Sequence, residues 1–205
     1  MQKEFAGARP EEIISHTYFY QHPDIFYRFY REKMLYPDAR PNAAHKWIAS
    51  LQNENRQVTV VTQNIDGFHA QAGAKTVYGL HGSAHRNLCP LCSACYSVDE
   101  MLSFLDGDGI PRCPHDGKII KPDVTLYEEP LNGATIDGAI DAIAHADTMV
   151  IIGTSLVVYP AASFVRYFRG EHLILINKTP TDYDGMAEMA LYEDVIDVVG
   201  ALGYV

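Results

Sequence analysis

Three short apolar runs mark the predicted strands of this chain. They cover residues 58–61, 148–152 and 173–176, and none of them alternates between apolar and polar positions. Runs of this kind are typical of strands that are covered by helices on both faces of a sheet. We therefore predict that these segments form a parallel sheet.

Helical spacing of apolar residues appears before the first of these strands. Residues 23–34 predict an amphipathic helix whose aromatic side chains lie in the core. A second helix is predicted over residues 42–53, with Asn42 as its N-cap and Trp47 packed inside.

Two further helical patterns follow later in the chain. One begins after Asn132, and the other fills residues 161–169 between Pro160 at its start and Gly170 at its end. Because strands and helices alternate, the fold class is α/β, with a doubly wound parallel sheet.

Residues 87–117 interrupt this alternation with cysteines, acidic residues and a glycine-rich turn. We predict that they form a small inserted module. The main domain would then consist of residues 1–86 and 118–205.

Composition narrows the class of protein. The 205 residues are 47% hydrophobic and carry a formal net charge of −10. That charge argues against binding to a nucleic-acid backbone and suits basic partners. We find no apolar run of membrane-spanning length and no secretory signal pattern, so we expect a cytoplasmic protein that binds neither membrane nor nucleic acid.

Polar side chains follow the first predicted strand directly. Gln63, Asn64 and Asp66 come straight after its end, and His81 follows another short apolar stretch. Ligands of open parallel sheets bind beyond the carboxyl ends of the strands, where such groups can hydrogen-bond a polar cofactor. A plain polar turn is the alternative interpretation. Histidine titrates near neutrality, which suits proton abstraction.

All four cysteines lie between residues 89 and 113. Cys89 and Cys92 have the CxxC spacing that brings two thiolates to one tetrahedral zinc ion, and Cys113 is at a suitable distance to add a third. This clustering indicates a structural metal site more than a disulfide framework.

Five segments together resemble the sirtuins, and the resemblance runs from about residue 10 to the end of the sequence. The segments are 62–67 (TQNIDG), 79–83 (GLHGS), 121–124 (KPDV), 153–161 (GTSLVVYPA) and 174–178 (ILINK). The family consists of NAD-dependent protein lysine deacylases.

The resemblance implies a Rossmann-like fold with a small inserted zinc-binding module, and two cofactors, NAD and Zn²⁺. The implied activity is deacylation, most simply deacetylation, of lysine in proteins or peptides, which yields nicotinamide and O-acyl-ADP-ribose. Mono-ADP-ribosyl transfer to protein is an alternative. The family's first strand and GAGxS loop are not matched, so a further alternative is that the chain is an inactive remnant or a binding module.

Roles for single residues also follow from the resemblance. His81 would be the general base, with Asn64 and Asp66 as further catalytic residues that bind ribose or water and the nicotinamide carboxamide. Ile65 would shield the nicotinamide. The residues implied to bind NAD are Gln63, Asn64, Ile65, Asp66, His81, Gly153, Thr154, Ser155, Asn177 and Val195.

The family pattern also places Asp116 where the fourth metal thiolate usually stands. Zinc would then be held by Cys89, Cys92, Cys113 and Asp116, with Cys95 and His115 as alternative fourth ligands. A closed site of this kind is structural.

Two segments resemble those that clamp an extended acyl-lysine peptide as an added strand. The residues implied to bind substrate are Val124, Leu126, Tyr127 and Val157. Main-chain pairing of this kind accepts many sequences. Glu128 stands where many sirtuins have glycine.

Overall fold

The computed structural model describes residues 4–204. Its α-helices are α1 (Pro10–Ile13), α2 (His16–Gln21), α3 (Pro23–Phe29), α4 (Ala43–Ser50), α5 (Phe68–Gln71), α6 (Val98–Ser103), α7 (Gly133–Ala144) and α8 (Val195–Ala201). Its strands are β1 (Thr59–Thr62), β2 (Thr76–Gly79), β3 (Gly82–Leu88), β4 (Cys95–Tyr96), β5 (Lys121–Val124), β6 (Thr148–Ile152), β7 (His172–Ile176) and β8 (Met189–Leu191).

The chain divides into two compact units. The first consists of Met1–Ala39, Asn64–Gly67 and His81–Leu131, and the second of Arg40–Gln63, Phe68–Leu80 and Asn132–Val205. Each unit therefore draws on several separate stretches of sequence.

The first unit packs its N-terminal helices on an antiparallel sheet. The strand order is β4-β3-β5, and a π-helix over Tyr30–Met34 continues α3. The Tyr30 hydroxyl donates to the Ala84 carbonyl oxygen at 2.6 Å, which ties this helix to β3. The core of the unit is aromatic, with Phe19, Phe26, Tyr27 and Tyr30 fully buried.

The second unit contains the parallel strands. β1 pairs with β2 in one ladder, and β6, β7 and β8 form another in that order. The predicted strands are therefore present and parallel. They do not form one continuous hydrogen-bonded sheet within the described residues, because β1 pairs with β2 and not with β6 or β7.

Most of the predicted helices begin where the sequence indicates. Asn42 caps α4 by accepting from the His45 N–H at 3.1 Å, and Asn132 caps α7 by accepting from the Thr135 N–H at 3.0 Å. A cap of this kind contributes about 1 kcal/mol. Trp47 is buried, as predicted.

The segment after Pro160 differs from the other helices. It forms a 3-10 helix over Ala161–Tyr167. Both the N–H and the hydroxyl of Ser163 donate to the Pro160 carbonyl oxygen, three residues back, and this spacing is the 3-10 pattern.

Residues 87–117 lie entirely within the first unit, together with the N-terminal helices. Whether they form a module of their own stays a prediction. None of the helices found among residues 4–204 is long and apolar enough to cross a membrane.

Candidate functional site

The ends of two neighbouring parallel strands bring predicted cofactor residues to one edge of a sheet. Ile152 of β6 is in register with Ile176 of β7, so Gly153 and Asn177 follow at equivalent positions. The Gly153 N–H donates to the Ile176 carbonyl oxygen at 2.9 Å. Gly153 has a φ of 61°, a conformation that glycine adopts without strain.

The third strand of the same ladder, β8, leads to Val195, another residue predicted to bind NAD. The Asn177 N–H donates to the Leu191 carbonyl oxygen at the end of β8. The chain then enters α8 at Val195, with Asp194 as N-cap accepting from the Ile196 N–H at 2.8 Å. Small, hydroxyl-bearing and amide residues thus share the carboxyl edge, where open α/β sheets bind ligands.

Side chains at this edge already have partners. The Asn177 side-chain amide donates to the Thr179 carbonyl oxygen at 2.8 Å. A hydrogen bond of this kind is also common for an asparagine in a turn. Gln63, after β1, donates to the Val158 carbonyl oxygen at 3.4 Å. The Thr154 hydroxyl accepts from the Leu156 N–H at 3.1 Å.

In the first unit, the predicted catalytic residues lie beside β3. The Ile65 carbonyl oxygen accepts from the Ala84 N–H at 2.9 Å, which attaches the loop that carries Asn64 and Asp66 to β3. His81 comes immediately before β3, and its carbonyl oxygen accepts from the Thr125 N–H at 3.0 Å. The loop is thus tied to β3, and His81, which leads into β3, is tied to the residue that follows β5.

Gly82 sets the position of His81. Its φ is 77°, and a Cβ atom at this residue would overlap the Asp123 carbonyl oxygen. Only glycine allows β3 to approach β5 this closely. Asn64 is exposed and Asp66 and His81 are half-buried, so all three side chains reach solvent. That these residues and those of the parallel ladder bind a single dinucleotide stays a prediction.

The predicted metal ligands converge. The ligand atoms of Cys89, Cys92, Cys113 and Asp116 all lie within 4.8 Å of one another. Cys92 Sγ lies 3.6 Å from Cys113 Sγ, and Cys89 Sγ lies 3.1 Å from Asp116 Oδ2. Zn–S bonds of about 2.3 Å at tetrahedral angles place two sulfurs about 3.8 Å apart, so the cluster fits zinc.

The hairpin geometry explains why Cys95 is not among these four residues. Cys95 pairs with Leu88 across β3 and β4 and is exposed, whereas its neighbour Tyr96 is buried. Adjacent strand residues point to opposite faces. Asp116 is therefore the fourth group of the cluster, as the sequence resemblance implied, in preference to Cys95 and His115.

Protonation differs among the metal-binding groups. A hydrogen bond from the Lys118 N–H lowers the pKa of Asp116, so this carboxylate is ionised at neutral pH. The pKa of Cys92 is raised to about 12: the Ala94 backbone lowers it, but burial and the groups of Cys89, Asp116 and Cys113 outweigh that effect. A bound cation would favour the thiolate form instead.

The predicted substrate residues fall into two kinds. Val124 and Leu126 are buried, with 6% and 3% of their surface exposed. Tyr127 and Val157 are exposed by 52% and 65%. The main chains of the two buried residues are engaged as well, because the Val124 carbonyl oxygen accepts from Lys121 Nζ and the Leu126 N–H donates to Glu129. Tyr127 and Val157 instead offer exposed side chains.

A polar network that the sequence analysis did not identify supports the segment around Tyr127. The Glu129 carboxylate accepts from Lys121 Nζ at 2.9 Å, from the Leu126 N–H at 2.9 Å and from His16 Nδ1 at 3.0 Å. Tyr127 itself pairs with Ile14 and His16 through its backbone. Lys121 and Glu129 lie on either side of the predicted peptide-binding segment in the sequence. These opposite charges were the only sequence feature that could have indicated the network.

Comparison with known proteins shows the family of this chain. The profile of the Sir2 family matches residues 2–160. The chain belongs to the Sir2 family. A Clostridium acetobutylicum relative named NAD-dependent protein deacetylase is 47% identical over 186 residues, which cover 91% of this chain and 75% of the relative. A Clostridium perfringens relative of the same name is 48% identical over 192 residues, covering 93% of this chain and 78% of the relative.

Solved Sir2 structures agree with the fold. A structure described as "Sir2-p53 peptide-NAD+" superposes with a TM-score of 0.87 at 32% identity, covering 98% of this chain and 85% of that one. One described as "Sir2 bound to acetylated peptide" gives a TM-score of 0.86 at 32% identity, covering 93% and 82%. The sirtuin resemblance and the α/β fold class are thereby confirmed.

Proposed function

We propose that this chain is an NAD-dependent protein lysine deacetylase that releases nicotinamide and O-acyl-ADP-ribose. The observation that carries the proposal is 47% identity to a relative named NAD-dependent protein deacetylase, over 91% of this chain. The strand-end residues described above supply the polar groups that such a reaction needs. Substrates are acyl-lysine proteins or peptides.

NAD contributes a ribose that becomes electrophilic when nicotinamide departs. The residues proposed to hold it are Gln63, Asn64, Ile65, Asp66, His81, Gly153, Thr154, Ser155, Asn177 and Val195. Within this set, the Asp66 carboxylate can accept from the carboxamide NH₂, and the Asn64 amide can orient ribose or water. Ile65 packs against the aromatic core of the first unit, which suits its role in excluding water.

His81 acts as the general base. Its imidazole accepts a proton from a ribose hydroxyl, which allows that oxygen to capture the acyl group. The role requires a side chain held in place but still reachable, and His81 meets this with a backbone fixed to Thr125 and a half-buried ring.

The zinc ion is structural. Cys89, Cys92, Cys113 and Asp116 would occupy all four tetrahedral positions, which leaves none open for a water molecule or substrate. The ion would join the β3–β4 hairpin to the segment that contains Cys113. No nucleic acid takes part in the proposed function, in keeping with the net charge of −10.

Mass spectrometry of an acetyl-lysine peptide, incubated with the protein with and without NAD, tests the proposal. We expect loss of the acetyl group only when NAD is present, together with nicotinamide and O-acetyl-ADP-ribose. A peptide that gains ADP-ribose would favour the transferase alternative. Loss of the acetyl group without NAD would contradict the proposal.

A further inference from the structure

An open cleft of about 600 Å³ lies in the first unit next to the segment proposed to bind substrate. Its walls include Tyr127 and Glu128 together with residues of the N-terminal helices, among them Glu11 and Thr17. Tyr127, one of the residues proposed to bind substrate, lines the cleft and is exposed by 52%.

Glu128 is held in an uncommon conformation at this position. Its φ is 74°, in the left-handed region that non-glycine residues rarely adopt. Its carboxylate accepts from the Thr17 N–H at 2.9 Å, which ties the side chain to the first turn of α2, another part of the cleft wall. Hydrogen bonding to the side chain and the backbone of Thr17 lowers the pKa of Glu128, so the group is charged at neutral pH.

A peptide bound as a strand brings its side chains within reach of this carboxylate. Neighbouring strands lie about 4.8 Å apart, and cross-strand side chains at this spacing interact directly. Glu128 follows Tyr127 in sequence, so residues that flank the acyl-lysine would pass close to it. Opposite charges in such cross-strand pairs are favourable, and like charges are unfavourable.

We propose that Glu128 is a specificity-determining residue that favours acyl-lysine segments with Lys or Arg within two positions of the modified lysine. The proposal rests on the proposed function. It adds a side-chain preference to main-chain pairing, which by itself discriminates little among sequences.

Paired acetyl-lysine peptides test this preference. They carry Arg, Ala or Glu at each of the two positions on either side of the acetyl-lysine. For the unaltered protein we expect kcat/KM to be about three- to fivefold higher for Arg than for Ala, the level of an exposed charge pair. The ratio should approach one at high ionic strength, because salt screens exposed charges.

Two substitutions of Glu128 and one matched control locate the effect. In Glu128→Gln the Arg-to-Ala ratio should fall to about one. Glu128→Asn provides a second neutral variant, since asparagine tolerates a positive φ better than most residues. Glu11→Gln removes another carboxylate from the same cleft and should keep the ratio. This control distinguishes a specific effect of the Glu128 side chain from the overall negative charge of the protein.

Three outcomes overturn the inference: a ratio near one in the unaltered protein, an unchanged ratio in both Glu128 variants, or an equal drop in Glu11→Gln. Deacetylation of the Ala peptide without an Arg preference would leave the proposed function standing. Fluorescence anisotropy of labelled peptides gives the same comparison of affinities without turnover, so the inference can fail or hold independently of catalysis.

Discussion

Two histidines near the start of β3 show how position decides the role of a residue. His81 directly precedes Gly82, whose glycine backbone allows the close approach to Asp123. His85 lies inside β3 with its side chain exposed. The loop with Asn64 and Asp66 is attached to β3 at Ala84, between the two histidines, and His81 alone of the two directly precedes the strand.

Replacing His81 with alanine should lower kcat by a factor of about 100 or more, since general-base groups contribute at that level. NAD binding should be reduced far less. Steady-state rates and calorimetric titration measure the two effects. His85→Ala is the matched control, with rates expected within about twofold of the unaltered protein. Equal losses in both variants would show that His81 has no special role.

Asp116 provides a second prediction for a single residue. It contributes an oxygen to a cluster that otherwise consists of three thiol groups. Asp116→Ala should release zinc at lower chelator concentrations, and Asp116→Cys should retain it more strongly, because zinc–thiolate sites are the most common closed structural sites. The measurement is zinc content after dialysis against a chelator.

Zinc loss from the unaltered protein should also increase as the pH falls, because binding requires that the thiols release protons. Cys95→Ser is the control and should leave zinc content unchanged, since Cys95 is exposed and lies outside the cluster. A variant of Asp116 that retains zinc like the unaltered protein would remove this residue from the metal site.

At the scale of elements, β5 and the turn after it form a rigid support for the proposed peptide-binding segment. Lys121 donates from Nζ to the Val124 carbonyl oxygen at 2.8 Å and to Glu129 at 2.9 Å. Glu129 in turn holds the Leu126 N–H. The side chains of Val124 and Leu126 anchor the segment in the core.

Glu129 makes the stability of this segment depend on pH. Burial raises the pKa of Glu129, but hydrogen bonds from His16, the Leu126 backbone and Lys121 outweigh it, so the pKa lies below its usual value of 4.5. A carboxyl group with a lowered folded-state pKa stabilises the protein above its unfolded-state pKa. That stabilisation is lost as the pH falls through the folded-state value.

Glu129→Gln should therefore lower the free energy of unfolding by about 1 kcal/mol at neutral pH, a modest amount because the site is partly solvated. The difference from the unaltered protein should shrink as the pH falls below about 4. Urea unfolding at several pH values measures it. Glu171→Gln is the control, because the Glu171 side chain is 89% exposed. A difference that stays constant down to pH 3 would contradict this account.

At the scale of the whole molecule, the sequence predicts the elements better than their pairing. The apolar runs around Val60, Ile151 and Leu175 are strands, and Asn42 and Asn132 cap helices, because local composition decides these features. Local patterns carry no information about which strands share hydrogen bonds. The separate β1–β2 ladder therefore could not be predicted.

The candidate site likewise combines features that the sequence predicts with features that it does not. The CxxC spacing of Cys89 and Cys92 identifies a metal site, yet the choice between Asp116 and Cys95 depends on strand alternation in a hairpin that the sequence does not reveal. The contacts of Glu129 with His16 and Lys121 were missed because His16 is 113 residues away in the chain. The pattern of strands pointed to Gln63, Asn64, Asp66 and His81 as candidates, whereas their roles and the other residues predicted to bind NAD come from family motifs.

Calorimetric titration of NAD into the protein tests the central claim most directly, namely that the polar strand-end residues bind this dinucleotide. We predict saturable binding to one site, weakened about tenfold or more by Asn177→Ala and unchanged by His85→Ala; a lost charge-assisted or buried hydrogen bond costs about this much. Absence of saturable binding, or equal affinities in all three proteins, would contradict the claim.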